Sequence, residues 1–332
     1  MFRRFMDWAL GSKFVFGQGK RTLKAIRLIA EGGFSFVYLA VDSSTGQKYA
    51  VKKILVQTKE ARKAVRWEVS VHRALGDHPN VMPLLDFSFS TAGSSKGGEE
   101  ALLLFPLYPD GSLYSFLEKL AERGGRNSNH NQKSPPENWI LAVFLQVCRA
   151  AEQFHSHSPP WAHRDIKPHN VLLDDSEKNP SGPRACLMDF GSVAVARVDV
   201  ETRKQGLMLQ DNASEHCSMA YRAPELWDVQ TGTTIDEKTD MWSLGCLLFA
   251  MGHHGFSPME CDVSANGRIR NVDCQHSKVL APFAAPENSQ FSAAYWKLVK
   301  ECLSIDPAAR PSIQTVIETV RERLGMKKKV NT

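Results

Sequence analysis

The chain has 332 residues, 42% of them hydrophobic and 23% charged, which suits a globular protein of one large two-lobed domain or two ordinary domains. Its net charge of +5 sits at the ends: residues 1–27 hold seven basic side chains against Asp7 alone, and residues 321–329 hold five against Glu322, so a nucleic-acid-binding face on the domain itself is not expected. Seven scattered cysteines without a C-x-x-C pair, and the lack of a secretory apolar segment or a run of ~18 apolar residues, predict a reduced, cytoplasmic setting without disulfides, structural zinc or a spanning helix.

Residues 1–24 read as a basic leader, in which Phe2, Phe5, Met6, Ala9 and Leu10 share one helical face beside Arg3 and Arg4. That pattern allows peripheral contact with a membrane surface, but a disordered or self-packed leader, or a misassigned start, is the plainer reading. Residues 25–57 alternate as strands do, around a turn at Ser43-Ser44-Thr45-Gly46. The spacing of Ala61, Ala64, Val65 and Val69 predicts a helix over 58–75. Polar Gly-, Ser- and Pro-rich loops follow at 91–100 and 122–137, with an apolar strand at 101–107 before the second. Helical patterns then dominate, at 138–157, 236–252, 290–303 and 311–324, before a basic tail at 325–332. A strand-rich first third and a helix-rich remainder predict an α+β chain of two lobes, 25–107 and 109–324, joined near residue 108.

The strongest chemical signal is His163-Arg164-Asp165-Ile166-Lys167-Pro168-His169-Asn170. Phosphoryl transfer needs a carboxylate to accept the proton of an attacking hydroxyl, and an amide oxygen five residues on can ligate a hard cation. Asp189-Phe190-Gly191 follows the apolar run Cys186-Leu187-Met188, so a carboxylate leaves a buried strand as a second candidate metal ligand. The stretch 174–184 between these motifs reads as an extended hairpin tip. Upstream, Ala30-Glu31-Gly32-Gly33-Phe34-Ser35-Phe36-Val37 is a degenerate glycine loop, which taken alone reads better as a plain hairpin turn. Lys52 closes the strand Tyr49-Ala50-Val51-Lys52, and Glu68 on the following helix is its natural ion-pair partner. Further on, Tyr221-Arg222-Ala223-Pro224-Glu225, Asp240 and Arg310 read as structural: a buried Glu225–Arg310 pair, and a buried Asp240 bonding the backbone of the 163–170 loop.

With these motifs in this order, residues 25–324 resemble the eukaryotic protein kinase superfamily, with a small antiparallel-sheet N-lobe carrying one main helix and a larger, mostly helical C-lobe. The altered loop Ala30–Tyr38 resembles that of the Numb-associated kinases. Trp161–Asp165, Leu187–Ser192 and Glu215–Glu225 resemble the branch named for serine/threonine kinase 16. The resemblance implies transfer of the ATP γ-phosphate to serine or threonine hydroxyls of proteins, the chain itself included. Asp165 is then the catalytic base, Lys167 steadies the γ-phosphate and marks serine/threonine specificity, and Ser218 bonds both beneath the peptide. Asn170 and Asp189 hold magnesium, for which manganese can substitute. Lys52, positioned by Glu68, takes the α- and β-phosphates, and the loop Ala30, Glu31, Gly32, Gly33 and Phe34 covers them. Val37 and Ala50 sandwich the adenine against Leu172, and the backbone of Pro106 and Tyr108 reads its edge, with Phe105 behind.

Two departures from the pattern are visible. Relatives begin Met-Gly-Cys and carry a myristate and a palmitate that hold them at Golgi membranes; here Met1-Phe2-Arg3-Arg4 stands, and no cysteine precedes Cys148, so neither lipid is expected there. Ala30 replaces a glycine, which stiffens the loop. A monomer is expected, either cytoplasmic or at endomembranes. A non-transferring scaffold is disfavoured because Lys52, Asp165, Asn170 and Asp189 are all present. A small-molecule kinase is disfavoured by the peptide-docking elements Ser218 and Tyr221–Glu225. The segment 189–225 holds Ser192, Thr202, Ser214 and Ser218; either one of them carries a phosphate received by Arg164, or the activity is constitutive.

Overall fold

The computed structural model describes residues 12–17, 20–32, 35–90, 99–124, 134–174, 183–263, 269–286 and 289–326. The chain divides into two compact units, residues 1–109 and 110–332.

The first unit is built on a six-stranded antiparallel sheet in the order β1-β2-β3-β4-β6-β5. Its strands are β1 (Lys13–Phe16), β2 (Arg21–Glu31), β3 (Ser35–Asp42), β4 (Lys48–Val56), β5 (Asp86–Ser90) and β6 (Glu99–Pro106). Strict alternation places Phe36, Tyr38 and Ala40 of β3 in the core with Phe14, Phe16, Leu23, Val51 and Leu104. The β3–β4 turn is organised by Asp42, whose Oδ1 accepts from the amides of Ser44 at 2.8 Å and Thr45 at 3.2 Å, and Gly46 takes the left-handed backbone the turn needs, at φ 73°. The sheet therefore starts well before residue 25: residues 13–16 and 21–24, read from sequence as leader, form β1 and the start of β2. Only Phe14 and Phe16 face the core in the four-residue β1, too short a run for alternation to stand out among the lysines and arginines around it. The Ser88 hydroxyl donates to the Val15 carbonyl at 3.2 Å, which ties edge strand β1 to edge strand β5. The helical face drawn through Phe2–Leu10 lies outside the described residues.

Helix α1 (Lys59–Leu75) starts at Thr58, whose side chain accepts from the Ala61 amide at 3.1 Å. Its buried stripe is Val65, Glu68, Val69 and His72, at the expected helical spacing but with two polar members. Ala61 and Ala64, read as part of the apolar face, are not buried.

The second unit is mostly helical: α2 (Leu113–Gly124), α3 (Glu137–His155), the short strands β7 (Trp161–Ala162), β8 (Val171–Asp174), β9 (Arg184–Leu187) and β10 (Ala194–Val195), then α4 (Arg203–His216), α5 (Lys238–Gly252), α6 (Ala293–Cys302) and α7 (Ile313–Arg323). The four helices expected from periodicity lie within one to three residues of their sequence bounds. Helix α5 is buried from Thr239 through Gly252, which makes it the central post of the unit. Two helices were not expected. Helix α2 lies in part within the stretch read as a polar loop, and α4 has no apolar stripe, since only Gly206 and Ala213 are buried. The signal for α4 was its start: Thr202 and Gln205 form a reciprocal capping box. Strands β8 and β9 pair as a hairpin, whose tip at 175–182 lies outside the described residues.

Candidate active site

In the first unit, strand pairing sets the candidate nucleotide residues in register. Val37 on β3 faces Lys52 on β4, and Ala50 on β4 lies between Leu39 and Phe105. Tyr49 pairs with Pro106 at the end of β6, and Tyr108 follows just beyond it. The Lys52 ammonium donates to Glu68 Oε1 at 2.8 Å, with the Glu68 side chain 5% exposed. The buried polar position on α1 is thereby explained: a core carboxylate is tolerable because a cation meets it. Strands β2 and β3 form a hairpin through the pairs Ala30–Val37 and Glu31–Phe36, and the Gly32 amide donates to Ser35 O at 2.8 Å. The glycine loop is thus a hairpin end. Its tip residues, Gly33 and Phe34, lie outside the described residues.

In the second unit, the 163–170 loop hangs from α5. The amides of His163 and Arg164 donate to Asp240 Oδ2 and Oδ1 at 2.7 and 2.8 Å, and Arg164 takes φ 65° to allow it. Burial alone drives the Asp240 carboxyl up, but the hydrogen bond and charge of His155, the charge of His163 and the Arg164 amide bring it below its ordinary value. His155 Nε2 lies 3.0 Å from Asp240 Oδ2. Sequence reasoning missed His155, which is 85 residues away from its partner and belongs to no motif.

Asp165 is held from three directions. Its Oδ1 accepts from the Ser218 amide at 3.0 Å, and its Oδ2 accepts from Lys167 Nζ and from Asn170 Nδ2, both at 2.8 Å. Lys167 Nζ also donates to Ser218 Oγ at 2.6 Å. Asp165, Lys167, Asn170 and Ser218 therefore form one constellation, with one refinement of the sequence expectation: Ser218 meets Asp165 through its backbone and Lys167 through its hydroxyl. The Asn170 amide nitrogen also donates to Asp165 O, which leaves the amide oxygen without a protein hydrogen bond among the described residues. Asn170 O accepts from the Met188 amide at 2.9 Å, which sets the start of β8 against the approach to Asp189. Asp189 itself is left-handed, at φ 66° and ψ 82°, an uncommon state for a residue with a side chain. Leu172 pairs with Cys186 on β9 and forms a bridge with Ser112. An amide oxygen from Asn170 and a carboxylate from Asp189 are hard donors and fit a divalent cation that draws further ligands from phosphates.

The 218–225 stretch is fixed from below. Arg310, whose side chain is fully buried, donates to both carboxylate oxygens of Glu225 at 2.7 and 2.8 Å, and also to the carbonyls of Ser304, Lys238 and Ile305. The Ser243 hydroxyl donates to Tyr221 O at 2.8 Å, the Ser257 hydroxyl to Ala220 O at 2.6 Å, and the Tyr221 hydroxyl to Gly255 O at 3.1 Å. Ser243 and Ser257 carried no signal in the sequence, since single serines in apolar surroundings are commonplace.

Residues 23–320 match the family model described as the protein kinase domain. The chain belongs to the protein kinase family. The kinase is 33% identical to a probable serine/threonine-protein kinase of Dictyostelium discoideum, over 89% of its own length and 92% of that protein's. It is 36% identical to serine/threonine-protein kinase 16 of Rattus norvegicus and to that of Homo sapiens, in each case over 88% of its length and 87% of the relative's. It is a serine/threonine protein kinase, with the α+β architecture of that fold, and uses ATP, a divalent cation and protein acceptors. The kinase's Lys52–Glu68 pair and its Asp165 constellation, each derived above from its own unit, are the parts such chemistry requires.

Proposed function

We propose that Asp165 is the general base of this kinase, and that the convergence of Ser218, Lys167 and Asn170 on its carboxylate is the observation that carries the assignment. A carboxylate pinned at both oxygens has one orientation, so an acceptor hydroxyl meets it without the entropic cost of sorting rotamers. Asp165 orients that serine or threonine hydroxyl and takes its proton as the oxygen attacks the γ-phosphorus of ATP. Lys167, anchored between Asp165 and Ser218, steadies the charge on the transferred group. Lys52, positioned by Glu68, takes the α- and β-phosphates, while Ala30, Glu31, Gly32, Gly33 and Phe34 cover them. Val37, Ala50 and Leu172 contact the adenine, and Pro106 and Tyr108 read its edge. Asn170 and Asp189 hold the cation, magnesium by the hardness of its donors, with manganese as a substitute. The cation supplies charge neutralisation between the phosphates when bound.

The deciding experiment is transfer of radiolabel from ATP by the purified chain, wild type beside Asp165→Asn, to a basic protein and to itself, followed by acid hydrolysis. Label on serine or threonine in the wild type and a loss of about 10²–10⁴-fold in the variant, at unchanged nucleotide affinity, is the expected result. Undiminished label in the variant sinks the assignment of the base.

Finer readings go with this one. The altered loop around Ala30 and the stretch Glu215–Glu225 support a place among the Numb-associated kinases, in the branch of serine/threonine kinase 16. The kinase unit is proposed to run from β1, rather than from residue 25, to residue 324, followed by a tail at 325–332. It is a monomer that autophosphorylates, cytoplasmic, and in contact with Golgi or other endomembranes through the basic residues of its first segment. Sedimentation with anionic vesicles that vanishes at high salt tests the last point, and equal binding to neutral vesicles refutes it.

A further inference from the structure

Charge is divided unevenly between the two units: residues 1–109 hold 16 basic side chains against 9 acidic, and residues 110–332 hold 25 against 27. Within the first unit, part of the surplus is ordered on α1. Lys59, Lys63, Arg66, Ser70 and Arg73 recur at steps of four, three, four and three, so they form one stripe along the helix, and all five are exposed. Glu60 is the one exposed carboxylate of α1, because Glu68 is buried against Lys52. Among the described residues, no carboxylate pairs with any of the four cations of the stripe. The nearby Glu99 is taken by Arg62, whose Nη1 donates to its Oε1 at 2.6 Å.

Such a stripe is unfavourable by itself. Like charges one helical turn apart repel, and Lys59 and Lys63 stand near the helix N-terminus, where the backbone dipole also disfavours cations. Aromatic rings hold the arginines in place. Arg73 lies over the Phe87 ring, 4.8 Å from its centroid, and Arg66 over the Phe89 ring at 5.7 Å, with Arg62 over that same ring at 4.6 Å. A ring beneath a guanidinium restrains it while leaving its N–H fork open to a carboxylate. The apolar side of α1, Val65 and Val69, is turned inward and buried. A helix that lies in a lipid interface needs that side for the bilayer, so this face offers a membrane charge without insertion. A protein segment needs the charge alone.

We propose that the exposed stripe of α1 is a docking surface for an acidic segment of a protein partner, laid along the helix in extended form. The length of that segment follows from geometry. The fourteen steps from Lys59 to Arg73 rise about 21 Å at ~1.5 Å each, the reach of roughly six extended residues at ~3.3 Å. A run of about six Asp or Glu residues therefore meets all four cations without folding, and its charges relieve the repulsion between them. The positive excess of the first unit draws such a segment in before contact is made. The inference goes beyond the kinase reading, since none of the stripe residues is assigned to phosphoryl transfer.

The test uses the full chain and a fluorescent peptide with a run of six glutamates, read by anisotropy. Saturable binding that weakens as salt is raised is the expected result. A peptide with the same six glutamates dispersed through a glycine–serine chain should bind roughly fivefold more weakly or worse. Equal binding of the two peptides means attraction to net charge alone and overturns the proposal. Lys63→Gln/Arg66→Gln should weaken the run peptide by roughly fivefold or more, the combined worth of two exposed ion pairs. Lys13→Gln/Lys24→Gln removes the same charge from exposed positions of β1 and β2 and should change binding by less than about twofold. Arg66→Lys, which keeps the charge and loses the fork, should fall between. An equal loss in the two double variants, or no saturable binding by the unmodified chain, overturns the proposal. Unchanged unfolding midpoints show that both variants fold, and the two-peptide comparison on the unmodified chain decides the matter if one does not. Phosphatidylserine vesicles form the last arm. Vesicle binding lost in Lys63→Gln/Arg66→Gln, with no binding of the run peptide, makes the face a lipid contact and overturns the assignment of a protein partner. No readout requires phosphoryl transfer, so this proposal and the kinase reading fail separately.

Discussion

A single carboxylate, Asp165, receives three hydrogen bonds from Ser218, Lys167 and Asn170, and these residues lie on two separated stretches of chain. The two stretches do different work. Lys167 and Asn170 come with Asp165 in one loop, so their geometry is local, whereas Ser218 is brought by tertiary folding. Ser218→Ala removes the oxygen that accepts from Lys167 Nζ but keeps the amide bond to Asp165. The expected outcome is a fall in kcat of about tenfold with the KM for ATP nearly unchanged, since a hydrogen bond to a charged group is worth ~1.5–3 kcal/mol. Ser218→Thr, which restores the hydroxyl, should recover most of the rate. Steady-state kinetics at varied ATP separates the two parameters, and a loss confined to KM contradicts the role given to Ser218.

Among the elements, α5 sets the position of the 163–170 loop, because its buried Asp240 bonds two loop amides. The helix ends at His253, whose Nδ1 lies 2.8 Å from Phe249 O and whose ring stacks on the Phe249 ring at 3.9 Å. Burial pushes the His253 imidazole down to about 4. The imidazole is then neutral in the folded chain, and the unfolded chain binds the proton first as pH falls below about 6.5. Stability from this group is therefore full above pH 6.5 and is lost progressively down to about 4, by about 3 kcal/mol in all. Urea unfolding at a series of pH values should show that decline, and His253→Gln should flatten it. An equal slope in the variant means another group titrates there. Helix α4 is the contrasting element, polar along its length and anchored at its start by the Thr202–Gln205 box. Thr202→Ala should destabilise it by ~1 kcal/mol, visible as faster amide exchange over 203–207 without change elsewhere.

At the scale of the whole second unit, the Arg310–Glu225 pair joins residues 85 apart and fastens the 218–225 stretch to the helical body. The guanidinium also bonds three carbonyls, so its removal leaves buried acceptors on several segments at once. Glu225→Gln or Arg310→Ala should cost about 3–5 kcal/mol, read by denaturant unfolding. The loss should exceed any surface ion pair, such as Lys297–Glu301, whose removal should cost less than ~1 kcal/mol. Comparable costs for the two pairs would mean that the 218–225 stretch is held by its serine and tyrosine hydrogen bonds instead.

The order of the chemistry was legible in the sequence alone: where the carboxylates, the lysine and the amide stand along the chain, and which apolar-patterned segments are helices, though not α2 or the polar α4. Those features are local, since motif residues within one loop and apolar spacing within one helix depend on near neighbours alone. Helix α1 was legible because Val65 and Val69 repeat at helical spacing. Tertiary packing alone put residues 13–16 and 21–24 in the sheet, because Phe14 and Phe16 acquire meaning from the core residues they pack with. It decided also that His155 meets Asp240 and that Ser218 reaches Asp165 by its amide. Each of these is a pairing of polar groups distant in sequence, and a polar residue reveals nothing of its partner until burial forces the pair to form.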